Sequence, residues 1–95
     1  MHIIIVGNGK VGGYTLAKHL CQEDNDVIVI DKSAEALQKA MDSLDVMCIR
    51  GNGTRVNVLK EAEVSSADVV IAVTNSDERN MLCCLAAKNL EQSTL

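Results

Sequence analysis

With no tryptophan, no phenylalanine and a single aromatic residue, Tyr14, this chain cannot build its interior around rings. The core must come from Val, Ile, Leu, Ala and Met, and at 47% apolar residues a 95-residue chain has enough for one domain. Proline is absent too, which fits regular elements joined by short glycine turns. Positive charge is not in excess: the net charge is −4, and the nine Lys and Arg residues are dispersed without aromatic interleaving. That excludes a nucleic-acid surface, which needs clustered cations against phosphate. No apolar run approaches the ~20 residues that span a bilayer, so direct membrane insertion is not expected. The apolar N-terminus is too short and lacks the flanks of a signal peptide, so it reads as a first strand. Cys21, Cys48, Cys83 and Cys84 include no C-x-x-C pair and no metal-ligand spacing. They read as small, partly buried residues in a reducing cytoplasm, and no metal is expected.

What the chain does have is Gly7-Asn8-Gly9-Lys10-Val11-Gly12, placed directly after Ile3-Ile4-Ile5-Val6 and before a helical pattern. A strand feeding G-x-G-x-x-G and then a helix is the dinucleotide-binding fingerprint. Gly7 permits the tight turn, Gly9 lets a pyrophosphate approach the backbone, and Gly12 lets helix and sheet pack closely. The phosphates then meet free N–H groups at the positive end of the helix. Downstream, Val27-Ile28-Val29-Ile30 ends at Asp31, 19 residues beyond Gly12. A carboxylate there is placed to accept hydrogen bonds from an adenosine ribose and repels a 2′-phosphate. NAD(H) or an adenine nucleotide is therefore favoured over NADP, with the adjacent Lys32 softening that preference.

Strand one spans about His2 to Val6 and helix A about Lys10 to Gln22, with Val11, Tyr14, Ala17 and Leu20/Cys21 as its apolar stripe. Tyr14 is expected between that helix and the sheet. Strand two is Val27 to Ile30. Ser33 is set to cap helix B, in which Ala34, Leu37, Ala40/Met41 and Leu44 share a face. Strand three is Val46 to Ile49, and Thr54 is the expected cap of a short helix C with Val56, Leu59 and Ala62. Strand four is Asp68 to Val73. Asn75 and Glu78 have capping-box spacing before helix D, which runs to about Leu90 with Met81/Leu82, Leu85 and Ala86 inward. Gln92-Ser93 reads as a turn and Thr94-Leu95 as the start of another strand. Alternation of strands and helices predicts an α/β, Rossmann-like, doubly wound parallel sheet of order 3-2-1-4. It is one domain over residues 1–95, expected to be incomplete at its C-terminus after the fourth βα unit.

All four strand ends on the ligand side deliver glycine or polar residues: the glycine loop, Asp31, Gly51-Asn52-Gly53-Thr54, and Thr74-Asn75-Ser76-Asp77. Structural turns alone would not concentrate there, so a ligand is expected at the switch point between strands one and four. Gly51 to Thr54 offer an open N–H surface to the adenine or ribose, although the stretch also reads as a plain turn and cap. Thr74 and Asn75 face the phosphates or second ribose. Asp77, Glu78 and Asn80 are candidates to bind a ligand or an ion, but acids at a helix start are commonly dipole partners. Lys10 is either a phosphate neighbour or a solvated first-turn residue. His2 lies at the far end of the sheet and His19 late in helix A, so neither is placed for chemistry.

The run Ile3 to Gly12, the Val-Ile-Asp end of strand two, Gly51-Asn52-Gly53-Thr54 and Ala72-Val73-Thr74-Asn75-Ser76-Asp77-Glu78-Arg79-Asn80-Met81 together resemble the N-terminal, regulator-of-potassium-conductance (RCK) type domain of the TrkA family. The stretch after strand four is the most specific part, since general dehydrogenases would not share it. The resemblance implies a regulatory and non-enzymatic role in a bacterial potassium uptake system. The implied ligand is NAD(H), or alternatively ATP/ADP. Gly7 to Val11 would hold the pyrophosphate, Asp31 the ribose, and Thr74-Asn75 the other half. The implied partners are further copies, as a dimer or larger ring, and a membrane-embedded potassium transporter subunit. The implied location is cytoplasmic, peripheral to the inner face of the cell membrane. Family domains continue into strands five and six, where an arginine that helps hold the ligand would fall beyond Leu95; strand four is therefore expected as an open edge that pairs with a second copy. The alternative is the cofactor-binding part of an NAD-dependent oxidoreductase, which requires an acid–base group and a substrate site.

Overall fold

Short aliphatic runs with apolar residues at every position can be buried on both sides at once, and this is how the sheet forms. The computed structural model describes residues 1–7 and 13–93, with side chains of the last helix to Lys88. Its elements are β1 (His2–Val6), α1 (Gly13–Cys21), β2 (Asp26–Asp31), α2 (Ala34–Ser43), β3 (Met47–Arg50), α3 (Val56–Glu61), a 3-10 turn (Val64–Ser66), β4 (Val69–Ala72) and α4 (Asp77–Ser93). The four strands are parallel and ordered β3-β2-β1-β4, as the alternation predicts.

Alternate residues of each strand feed two separate cores. Ile4 and Val6 of β1, Ile28 and Ile30 of β2, and Ile49 of β3 meet Val58, Leu59 and Ala62 from α3 and its end, with Cys83 and Ala87 of α4. Ile3, Ile5, Val27 and Val29 point the other way, onto Ala17 of α1 and Leu37 of α2. From Ile3 to Val6 and from Val27 to Ile30 the central strands carry only aliphatic side chains. β4 is the outer strand of the described sheet, and Val69 to Ala72 are all half-buried.

Several local details differ from the periodicity-based expectations. β2 takes in both flanking aspartates, and β3 is one residue later than expected because Arg50 pairs with Asp31. β4 is shorter: the Asp68 carboxylate instead accepts the His2 backbone N–H at 2.8 Å. Tyr14 lies outside the core, with the Lys39 ammonium of α2 4.4 Å from its ring centroid. In α2, Leu37 and Ala40 are buried while Met41 is 58% exposed. The largest correction concerns α4. Cys83 and Ala87 face inward, whereas Met81, Leu82 and Leu85 are 67%, 48% and 52% exposed. Two small residues four apart let this helix settle close to Val6, and longer side chains would hold it off. α4 also continues through Ser93, where a turn was expected, and Thr94-Leu95 lie outside the described residues.

Ser33 caps α2 as its type predicts, accepting from the Ala36 N–H at 3.3 Å. Thr54 does not cap α3, because its hydroxyl donates to Asn52 Oδ1 at 2.7 Å and Arg55 occupies the cap position without a side-chain bond. At α4 the capping oxygen belongs to Ser76, which accepts from the Arg79 N–H at 3.2 Å, and not to Asn75.

Candidate nucleotide site

Chain order reverses between β1 and β4, at whose C-terminal ends the turns lead to opposite layers of helices. Gly7 leaves β1 with φ of +98°, a conformation open to glycine and strained for any other residue. Its N–H donates to the Ile30 carbonyl at 2.7 Å. A Cβ on Gly7 would stand 3.0 Å from Thr74 N and from the Val73 carbonyl, so the turns after β1 and β4 lie against each other. Asn8, Gly9, Lys10, Val11 and Gly12 lie outside the described residues. α1 (Gly13–Cys21) has no acidic residue in its first turn among the described residues. α4 differs, because Asp77 and Glu78 occupy its first turn.

Above the sheet edge lies a cavity of about 310 Å³. Its floor is Val6, Ile30, Gly53 and Cys83. Asp31, Lys32 and Ser33 form one wall, and Thr74, Asn75 and Arg79 the other. Gly51, Asn52 and Thr54 close the side at β3. A second cavity, about 580 Å³, sits at the opposite end of the strands beside Asp26, Asp45 and Glu63. Three carboxylates and the negative ends of the helices make that end hostile to phosphate.

Each wall has an internal brace. One Asp31 carboxylate oxygen accepts the Ser33 N–H at 2.8 Å, which folds the chain after β2 and holds the half-buried acid at the rim. The Lys32 carbonyl accepts from Arg50 Nε at 3.3 Å, leaving the ammonium clear of any ion pair among the described residues. Asn52 Oδ1 accepts both the Thr54 N–H and hydroxyl, at 2.9 and 2.7 Å. Asn80 does the equivalent for Thr74, accepting its N–H at 2.9 Å and its hydroxyl, and returning an N–H from Nδ2 to the Thr74 carbonyl at 3.3 Å. Asn80 therefore acts as a structural clamp on Thr74. Asp77 and Glu78 stay outside the cavity wall.

Of the residues expected at the site, Gly7, Asp31, Lys32, Gly51, Asn52, Gly53, Thr54, Thr74 and Asn75 all line the one cavity. Arg79 and Cys83 also line it, and no local pattern singles them out. They are four apart on α4, and only the docking of that helix brings them to β1. Cys83 is 1% exposed, and burial pushes its thiol up to about 11, with the neighbouring Cys84 adding to the rise. At neutral pH it is a protonated, apolar part of the floor.

Gly53 sets the depth of that floor. A Cβ there would fall 2.5 Å from Val6 Cγ1 and 3.4 Å from Cys83 Sγ. Val6 is itself 4% exposed and has nowhere to retreat. Gly53→Ala is expected to destabilise the fold by about 1–3 kcal/mol. Adding Val6→Ala should recover part of that, so that the double variant loses less than the two single losses summed. Urea denaturation of all four proteins checks this, and strictly additive losses would contradict the contact.

The pattern of the TrkA-N domain family matches residues 3–94. The chain is 47% identical over 90 residues to the Trk system potassium uptake protein TrkA of Halomonas elongata, an alignment covering 95% of this chain and 20% of that protein. The chain thus spans about a fifth of that relative's length. Among solved structures it is similar to the GsuK channel, with a TM-score of 0.80 and 25% identity over 96% of this chain and 16% of that one. It also shares the fold of the AMP-bound Shewanella denitrificans Kef CTD, with a TM-score of 0.77 and 19% identity over 97% of this chain and 55% of that one. A glycine turn at the switch point, an acid closing β2 and a family match running almost from end to end lead to one assignment: the chain belongs to the TrkA-N domain family.

Proposed function

We propose that this chain is the nucleotide-binding regulatory module of a potassium uptake system, holding NAD(H), or alternatively ATP/ADP, in the cavity at the β1–β4 switch point. The observation that carries this reading is the convergence of Gly7, Asp31, Gly51 to Thr54 and Thr74-Asn75 on one cavity at the C-terminal ends of the strands. The pyrophosphate lies along residues 7–11, the ribose hydroxyls meet Asp31, and Thr74-Asn75 meet the other half of the ligand. The names of the relatives, potassium uptake proteins and a channel, support control of a membrane-embedded transporter subunit from the cytoplasmic face. The AMP in the Kef structure supports an adenosine-bearing ligand.

Regulation then follows from differential binding. A nucleotide that favours one arrangement of the assembly by about 1–3 kcal/mol shifts the transporter between states. No covalent step is needed, and among the described residues the cavity wall carries no histidine or tyrosine to act as acid or base. The module works as a homo-oligomer, a dimer or larger ring. The half-buried β4 edge and the exposed Met81, Leu82 and Leu85 support this. Sedimentation is expected to show association as concentration rises, and a monodisperse monomer at high concentration would contradict it.

Calorimetric titration of NAD, NADH, ADP and ATP tests the site. A ligand at 100 times its dissociation constant is expected to stabilise the fold by about 2.7 kcal/mol. Asp31→Ala should weaken binding roughly ten- to a hundredfold, as hydrogen bonds to a charged acceptor are lost. Asp31→Asn keeps an oxygen for the Ser33 N–H, and so separates a ribose contact from a turn defect. Unchanged affinity in both variants, or no stabilisation by any nucleotide, would overturn the reading.

A further inference from the structure

Arg79 and Cys83 stand one turn apart on the same face of α4 and line the same cavity, Cys83 buried and Arg79 exposed. The Arg79 backbone N–H is taken by Ser76, yet its guanidinium makes no hydrogen bond or ion pair among the described residues. A planar cation with no partner among the described residues thus lines the same cavity as the apolar floor made of Val6, Ile30, Gly53 and the buried Cys83 thiol. On the reading of this cavity as a nucleotide site, the ribose at Asp31 separates two ends of the ligand. The phosphates run toward Gly7 and α1, because the N-terminus of α4 already carries Asp77 and Glu78. The base is left with the apolar part of the cavity.

We propose that Arg79 lays its guanidinium on the outer face of the nucleotide base, forming a slot whose inner face is Val6, Gly53 and Cys83. Arg79 thereby determines specificity for ligands that carry a purine. The guanidinium suits this role because it is flat, weakly hydrated and attracted to aromatic faces. No aromatic side chain competes with it, because Tyr14 is the only one in the chain and is engaged with Lys39 on the other layer. Lys32 lines the opposite wall and offers a point charge without a plane.

The test is titration of AMP, ADP and ATP into the wild-type chain, Arg79→Ala and Arg79→Lys. The adenine absorption band is followed in parallel, and it is readable because the protein has no tryptophan. Arg79→Ala is expected to weaken all three nucleotides by the same factor, about tenfold, and to reduce the hypochromism of the bound base. Arg79→Lys should restore little of either, since the charge returns without the plane. A loss that grows from AMP to ATP and is restored by lysine would overturn the proposal in favour of a phosphate contact. Affinities equal to wild type would overturn it outright. These results differ from failure of the site itself, in which the wild-type chain binds none of the three nucleotides.

Discussion

The close approach of Gly7 to the Val73–Thr74 peptide is the constraint on which the rest depends. Two strands from distant parts of the chain pair in parallel, and their onward turns must diverge to opposite layers of helices. They clear each other only because Gly7 has no side chain and adopts a positive φ. Asn80 then fixes the β4 turn by gripping both backbone groups and the hydroxyl of Thr74. The crevice is thus held open by backbone geometry on one side and by a single amide on the other. Neither needs a ligand to form, which fits a site that is largely pre-built.

Charge is unevenly distributed between the two ends of the sheet. The chain is acidic overall; Asp26, Asp45 and Glu63 surround the lower cavity and Asp77 and Glu78 sit in the first turn of α4, while Asp31 is the acid on the wall of the upper one. The first turn of α1 has none. On the proposed reading, phosphate is drawn to β1 and α1, and the apolar floor beneath α4 remains for the base. A protonated Cys83 keeps that floor neutral, and Lys32 and Arg79 flank the mouth with positive charge.

Much of this was legible in the residues alone. The aliphatic runs gave the four strands, and alternation with helices gave their order. Glycine or polar residues at every functional strand end gave the cavity wall from Gly7 to Asn75. The helix faces were harder to read. In α4, Met81, Leu82 and Leu85 make the more hydrophobic stripe, but Cys83 and Ala87 are the residues buried in the shared core. Tyr14 left the core for Lys39 for a similar reason, since small residues such as Ala17 fill the space against the sheet. Arg79 and Cys83 reach the site only through this docking, so no spacing rule within the chain marks them. Caps are decided by local competition among side chains: the Thr54 hydroxyl is committed to Asn52 Oδ1, and Ser76 in place of Asn75 accepts the Arg79 N–H.

The central claim is that one crevice, at the C-terminal ends of β1 and β4, receives the nucleotide. Mapping amide nitrogen–proton NMR shifts during titration with NADH tests it most directly. The account predicts that the largest shifts cluster at Gly7, Asp31 to Ser33, Gly51 to Thr54 and Thr74 to Arg79, and that Asp26, Asp45 and Glu63 stay unmoved. Shifts centred on that acidic end of the sheet, or none at saturating ligand, would contradict it.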